Sequence, residues 1–89
     1  MLKSLNKFFT DLQCISEKYL YNITSDKIKL SFNRDINHAL NEINQALLPV
    51  HIRAYFNYKL IDNTDIECEL YFVNIDTGER IDNIYECLQ

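Results

Sequence analysis

From Leu2 to about Tyr21, apolar residues fall at Leu5, Phe8, Leu12, Ile15 and Tyr19, in alternating steps of three and four. That spacing keeps them on one side of an α-helix, and Leu2 and Phe9 widen the stripe at its start. The stripe suits packing on the chain's own sheet. It would also suit a homo-oligomer through residues 2–21, although the alternation lasts under three heptads. The run Asn22-Ile23-Thr24-Ser25-Asp26 is turn-prone and ends the helix.

Residues 27–32 alternate, with Ile28, Leu30 and Phe32 on one side and Lys27, Lys29 and Ser31 on the other, which predicts a half-buried strand. A second helix is predicted from about Arg34 to Leu48, with Asn33 or Asp35 placed to cap its free N–H groups. Ile36, Ala39, Leu40, Ile43, Ala46 and Leu47 form its apolar face, and Pro49 stops it by disfavouring helical backbone at Leu48. From Val50 to Leu60 the even positions are Val, Ile, Ala, Phe, Tyr and Leu, while His51, Arg53, Tyr55, Asn57 and Lys59 occupy the odd ones. Period two over that length is a long strand with one core face and one wet face.

After a turn at Asp62-Asn63-Thr64, Ile66, Cys68, Leu70 and Phe72 resume the inward alternation. Pairing Tyr58 with Cys68 sets Lys59 opposite Glu67, a favourable cross-strand pair. Asp76-Thr77-Gly78 suits a three-residue hairpin with Gly at the left-handed position. The last strand, roughly Glu79 to Cys87, alternates poorly. The resulting fold class is α+β in two layers, order α-β-α-β-β-β: an antiparallel sheet of about four strands with two helices on one face, in a single domain spanning 1–89.

Composition narrows the chemistry. The chain has 89 residues, so one core serves all of it, and the single Gly and single Pro leave no glycine-rich phosphate cradle. Cys14, Cys68 and Cys87 are odd in number and widely spaced, which fits reduced thiols in a cytoplasmic protein better than a disulfide framework or a zinc site. No apolar run approaches a membrane span and the start lacks a signal-peptide core, so no membrane partner is expected. His38 and His51 lack a surrounding triad of Cys or carboxylates. Ser4, Ser16, Ser25 and Ser31 sit in no nucleophile-elbow context. The residues therefore predict no enzyme, no cofactor and no metal.

Charge is distributed unevenly. Residues 1–61 hold eight Lys or Arg against five acids, a balance of +3; residues 62–89 hold Arg80 against eight acids, a balance of −7, and together they give the chain's −4. Glu67, Glu69 and Tyr71 share the outer face of their strand. With Asp62, Asp65, Asp82 and Glu86 they form the expected partner-binding surface, steering a basic protein such as a nucleic-acid-binding one. The rival surface is His51, Arg53, Tyr55 and Lys59, where cations interleaved with an aromatic on an exposed sheet would hold single-stranded nucleic acid. Glu67 and Glu69 lie beside that face and oppose it, and the pI of about 5.0 argues against direct nucleic-acid binding.

The stretch from about Lys27 to Asp82 resembles the essential-recombination-function family of phage single-strand annealing proteins. The likeness lies in a strand leading into Asp35-Ile36-Asn37-His38-Ala39-Leu40, then Ala46-Leu47-Leu48, then strands ending in Asp76-Thr77-Gly78-Glu79. The resemblance implies annealing of single-stranded DNA, ring-like oligomers and no cofactor. The residues themselves favour a small, acidic, non-catalytic binding protein that inhibits a basic macromolecular partner by occlusion, of the phage anti-defence, immunity or antitoxin type. Single-strand annealing and a homo-oligomeric structural role are the alternatives.

Overall fold

The computed structural model describes residues 1–19, 25–60 and 66–88. Its elements are α1 (Leu2–Tyr19), α2 (Asp26–Leu47), a 3-10 turn (Leu48–Val50), β1 (Ile52–Leu60), β2 (Ile66–Asn74), β3 (Arg80–Ile81) and α3 (Ile84–Leu88). The strands form one antiparallel sheet in the order β1-β2-β3. The chain is α+β as expected, but the sheet has three strands and the order is α-α-β-β-β-α. The turn expected at 62–64 and the start of the one at 22–26 lie outside the described residues.

The expected strand at 27–32 is the first part of α2. Ser25 caps the helix, its Oγ accepting from the Ile28 N–H at 3.3 Å, so neither Asn33 nor Asp35 is the N-cap. The physical reason lies in a shared spacing. Ile28 and Phe32 are four apart, which puts them on one face of a helix as well as of a strand. Phe32 continues into Ile36, Ala39, Ile43 and Leu47, all buried, as one unbroken helical stripe. Leu30 separates the two readings: a strand would bury it with Ile28 and Phe32, whereas it is 70% exposed.

Helix α2 ends at Leu47, but Leu48 keeps helical backbone (φ −54°, ψ −44°) against the expectation. The α ladder stops because Pro49 has no N–H to give, and a 3-10 turn containing Pro49 leads to His51, whose φ of 59° is left-handed. β1 and β2 pair in the expected register, with Tyr58 opposite Cys68 and Lys59 opposite Glu67. The β2–β3 hairpin also forms, with Gly78 at φ 74°. Its loop holds four residues, Ile75 to Gly78, because the Asn74 N–H donates to the Glu79 carbonyl at 2.9 Å. The expected last strand, Glu79 to Cys87, reduces to Arg80–Ile81 and then helix α3. There the Asn83 side chain caps the turn, accepting from the N–H groups of Tyr85 and Glu86 at 3.1 and 3.4 Å.

Both long helices lie on one face of the sheet. Leu5 and Phe8 of α1 and Ala39, Ile43 and Leu47 of α2 meet Ile52, Ala54 and Phe72, with Ile84 of α3 closing one side. A second cluster, Tyr19, Phe32 and Ile36, extends the core toward Phe56 and Tyr58. The α1 stripe is therefore used inside the chain's own core. Cys68 sits on the inward row of β2 yet is exposed, as are Cys14 and Cys87.

Ile43 is 2% exposed at the centre of this packing, and Asn41 is exposed on the same helix. Ile43→Ala is expected to cost about 2–5 kcal/mol, the range for truncating a buried aliphatic side chain. Asn41→Ala is expected to be close to neutral. Thermal or urea melts compare them; equal stabilities would refute the face assigned to α2.

Candidate functional site

A three-stranded sheet with helices on one face leaves its other face to solvent. On β1 that outer row is Arg53, Tyr55, Asn57 and Lys59; on β2 it is Glu67, Glu69, Tyr71 and Val73. The two rows expected to act as rival surfaces are thus neighbouring strands of a single face. Register sets Tyr55 directly opposite Tyr71, and their rings stack with centroids 5.3 Å apart and planes 14° from parallel.

The outer sides of this ring pair are covered by cations. The Arg53 guanidinium lies 5.4 Å from the Tyr55 centroid, and that of Arg80 lies 4.0 Å over Tyr71. Arg80 is held there by Glu69, Nη1 to Oε1 at 2.8 Å. The stack runs Arg53, Tyr55, Tyr71, Arg80, and attraction between guanidinium and ring quadrupole holds its ends. Three cations, Arg53, Lys59 and Arg80, meet two carboxylates, Glu67 and Glu69, so this face is not acidic although the chain is.

Other members of the two expected sites lie elsewhere. His51 precedes β1 and leaves the row: its Nδ1 is 3.0 Å from Asp76 and its carbonyl accepts from the Ile75 N–H at 2.9 Å. This ties the helix-to-strand corner to the hairpin loop. Asp82 is exposed just after β3. Glu86 is on α3, beside α1, where Tyr85 packs on Phe9 and its hydroxyl meets Asn6. Asp62 and Asp65 lie outside the described residues. The −7 segment therefore does not converge on one patch. Arg80 is the member that sequence reasoning missed, because its place depends on the register of β3.

A second concentration of charge lines a groove of about 490 Å³ between α1 and α2. Lys7 bridges Asp11 at 3.0 Å and Glu42 at 2.7 Å, and His38 reaches Glu42 at 3.2 Å. Cys14 and Asp35 line the same groove. Among the described residues no group of three His, Cys, Asp or Glu could hold a metal ion. No helix there is long and apolar enough to cross a membrane. The thiol of Cys68 is pushed up by desolvation, which keeps it protonated and poorly nucleophilic.

Comparison with known proteins returns no matching family model, no matching curated protein and no matching solved structure.

In the helix pair, the Tyr19 hydroxyl donates to Asp35 at 2.7 Å and holds that carboxyl below the usual carboxylate range. Lys18 and Arg34 add to this against partial desolvation. A carboxylate depressed by folding contributes stability above its unfolded pKa and loses it as pH falls through the folded value. Tyr19→Phe keeps the buried ring and removes the donor, so it should be less stable than wild type at neutral pH. The gap should close as pH falls from about 5 downward. Urea titrations at a series of pH values measure this; a gap constant across pH would show that the hydroxyl does not act through Asp35.

Proposed function

We propose that this chain is a non-catalytic binding domain that docks a protein partner on the open face of its sheet and acts by covering the partner's own surface. The observation that carries the reading is the Tyr55–Tyr71 stack at the centre of that face, ringed by Arg53, Arg80, Glu69 and Val73. An aromatic and arginine centre inside a rim of charged groups is the usual composition of a protein–protein hot spot. Tyr55 and Tyr71 are already ordered by each other and by the guanidinium groups, which lowers the entropic cost of docking.

The partner we propose is basic. Six exposed carboxylates, Glu67, Glu69, Asp76, Glu79, Asp82 and Glu86, against Arg80 give residues 66–88 a negative field, and the chain carries −4 overall. Such a field raises the encounter rate with a positive surface. If that surface serves nucleic acid, covering it is inhibition by occlusion.

The annealing alternative asks Tyr55 to stack on bases. Both sides of the ring pair are taken by guanidinium groups, and Glu67 and Glu69 lie along the path a phosphate backbone would follow. Both features favour a protein occupant over single-stranded DNA.

Two measurements test the reading together. Host proteins captured on the immobilised chain after nuclease treatment should be retained by wild type and lost from the Tyr55→Ala, Tyr71→Ala double variant. Fluorescence anisotropy with a labelled oligonucleotide should show no binding tighter than about 10⁻⁴ M at physiological salt, the weak end of non-specific association. Micromolar, salt-sensitive oligonucleotide binding that Tyr55→Ala abolishes would replace the protein partner by single-stranded DNA.

A further inference from the structure

In an antiparallel strand the N–H and C=O of one residue point to the same side, and successive residues point to opposite sides. On β1 the side chain of Asn44 identifies the two sets. Its Oδ1 accepts from the Ala54 N–H at 2.7 Å and its Nδ2 donates to the Ala54 carbonyl at 3.3 Å. Ala54 therefore directs both groups away from β2, and an amide on α2 stands where a neighbouring strand would be. Phe56 and Tyr58 have the same parity. β1 is at the margin of the sheet, so their N–H and C=O groups also face outward. Among the described residues nothing bonds to them. The seal stops at Ala54.

Helix α2 roofs the unsealed part. Asn33 accepts the hydroxyl of Tyr58 and so fixes that flank of the helix beside the strand. Leu30 and Lys29, three and four residues before Asn33, lie on the same flank. Leu30 is 70% exposed, the most exposed large apolar side chain among the described residues. The free backbone groups of Phe56 and Tyr58 and the exposed Leu30 thus lie on the same side of the contact between α2 and β1. Lys29 and Lys59 border this margin, and neither forms an ion pair among the described residues.

The identity of the occupant follows from what this margin excludes. A second copy's β1 would lie about 4.8 Å away, carrying its own α2 with it, whereas packed helices need about 8–10 Å between axes. The far half of β2 also extends past the two-residue β3. There Glu67 and Glu69 would face carboxylates of another β2 laid against it, and like charges directly opposite are unfavourable. An extended segment with no helix above it fits under α2. Its inward side chains would meet Leu30, Phe56 and the ring of Tyr58, and its outward ones would lie beside Lys59, as Glu67 does on the other side.

We propose that the margin of β1 from Phe56 to Leu60 accepts an extended peptide of a partner protein as a fourth strand, with apolar residues alternating with acidic ones. Strand addition of this kind takes affinity from main-chain hydrogen bonds and specificity from alternate side chains. The site is distinct from the Tyr55–Tyr71 face, because it uses backbone groups of the intervening residues.

The test is amide hydrogen exchange by NMR on the full chain. The probe is a blocked nine-residue peptide alternating valine and glutamate, with a valine–lysine twin as control. Without peptide, the Phe56 and Tyr58 amides should exchange fast while those of Tyr55 and Asn57, bonded to β2, are slow. The glutamate peptide should slow Phe56 and Tyr58 by about ten-fold or more, the scale of one net hydrogen bond. The lysine twin should leave them unchanged, and Lys59→Glu should reverse the preference. Slow exchange at Phe56 and Tyr58 in the free chain would overturn the proposal, since the margin would already be covered. So would exchange rates that neither peptide alters, or equal protection by both. Tyr55→Ala, Tyr71→Ala should keep the peptide effect, which separates failure of this site from failure of the face.

Discussion

A chain of this length builds one helical layer, and one helical layer covers one face of a sheet. Burial of Ile52, Ala54 and Phe72 beneath α1 and α2 engages Leu5 and Phe8 of the first helix and Ala39, Ile43 and Leu47 of the second. At about 90 residues roughly 60–65% of the unfolded surface is buried, and among the described residues no element lies over the sheet's outer face. The outer face of the sheet must then be stable in water without a covering element. Its solution is lateral: Tyr55 on Tyr71, Arg80 on Tyr71 and Glu69, Arg53 on Tyr55. Cross-strand pairs substitute for the missing layer, and the most ordered of them form the surface best prepared to bind.

Legibility in the sequence follows how many independent physical cues each element has. α1 had a full stripe, and the β1–β2 ribbon had period two over nine-residue strands plus the Lys59–Glu67 pair, which only one register satisfies. That register also places Tyr55 opposite Tyr71, so the centre of the open face was implicit in residues already assigned. The segment at 27–32 had a single cue, since four-residue spacing serves a short strand and a helix alike. What decides it is the continuation through Phe32, Ile36 and Ile43, a property of twenty residues rather than six. The C-terminal stretch was read poorly because Asn83, a capping residue, interrupts it. Arg80 therefore had no predicted place, although it completes the ring stack.

Counting charge along the chain and locating it in space give different answers. The −7 of residues 62–89 is a sum over positions that the fold separates: Glu69 faces Arg80, Asp76 faces His51, and Glu86 lies on α3 beside α1. Exposed ion pairs of this kind contribute about 0–1 kcal/mol each, so they do not hold the fold together. Their effect is on the field. Within a Debye length of about 8 Å at physiological salt the open face is close to neutral, whereas the molecule as a whole is anionic. In the proposed complex, approach is governed by the net charge and docking by the local pairs, which is how a domain of pI about 5.0 can present arginines on the face proposed for contact.

The same shortage of covering layers shapes the sheet's margin. A free strand edge invites unspecific pairing, and folds usually blunt it with a bulge, a proline or a covering element. β1 has neither bulge nor proline, and among the described residues its one seal is the Asn44 amide on Ala54. That seal sits at the end next to the Pro49 corner, and it satisfies both backbone groups of one residue with a single side chain. Beyond it, the helix is still present above Phe56 and Tyr58 but offers a tyrosine bond and a leucine instead of an amide. A second copy laid antiparallel along the margin would bring its own α2 to strand spacing, closer than two packed helices allow. A single extended chain brings no such helix. The margin proposed for strand addition is thus selective rather than closed: it disfavours a strand that arrives with its own helix and suits one that arrives bare.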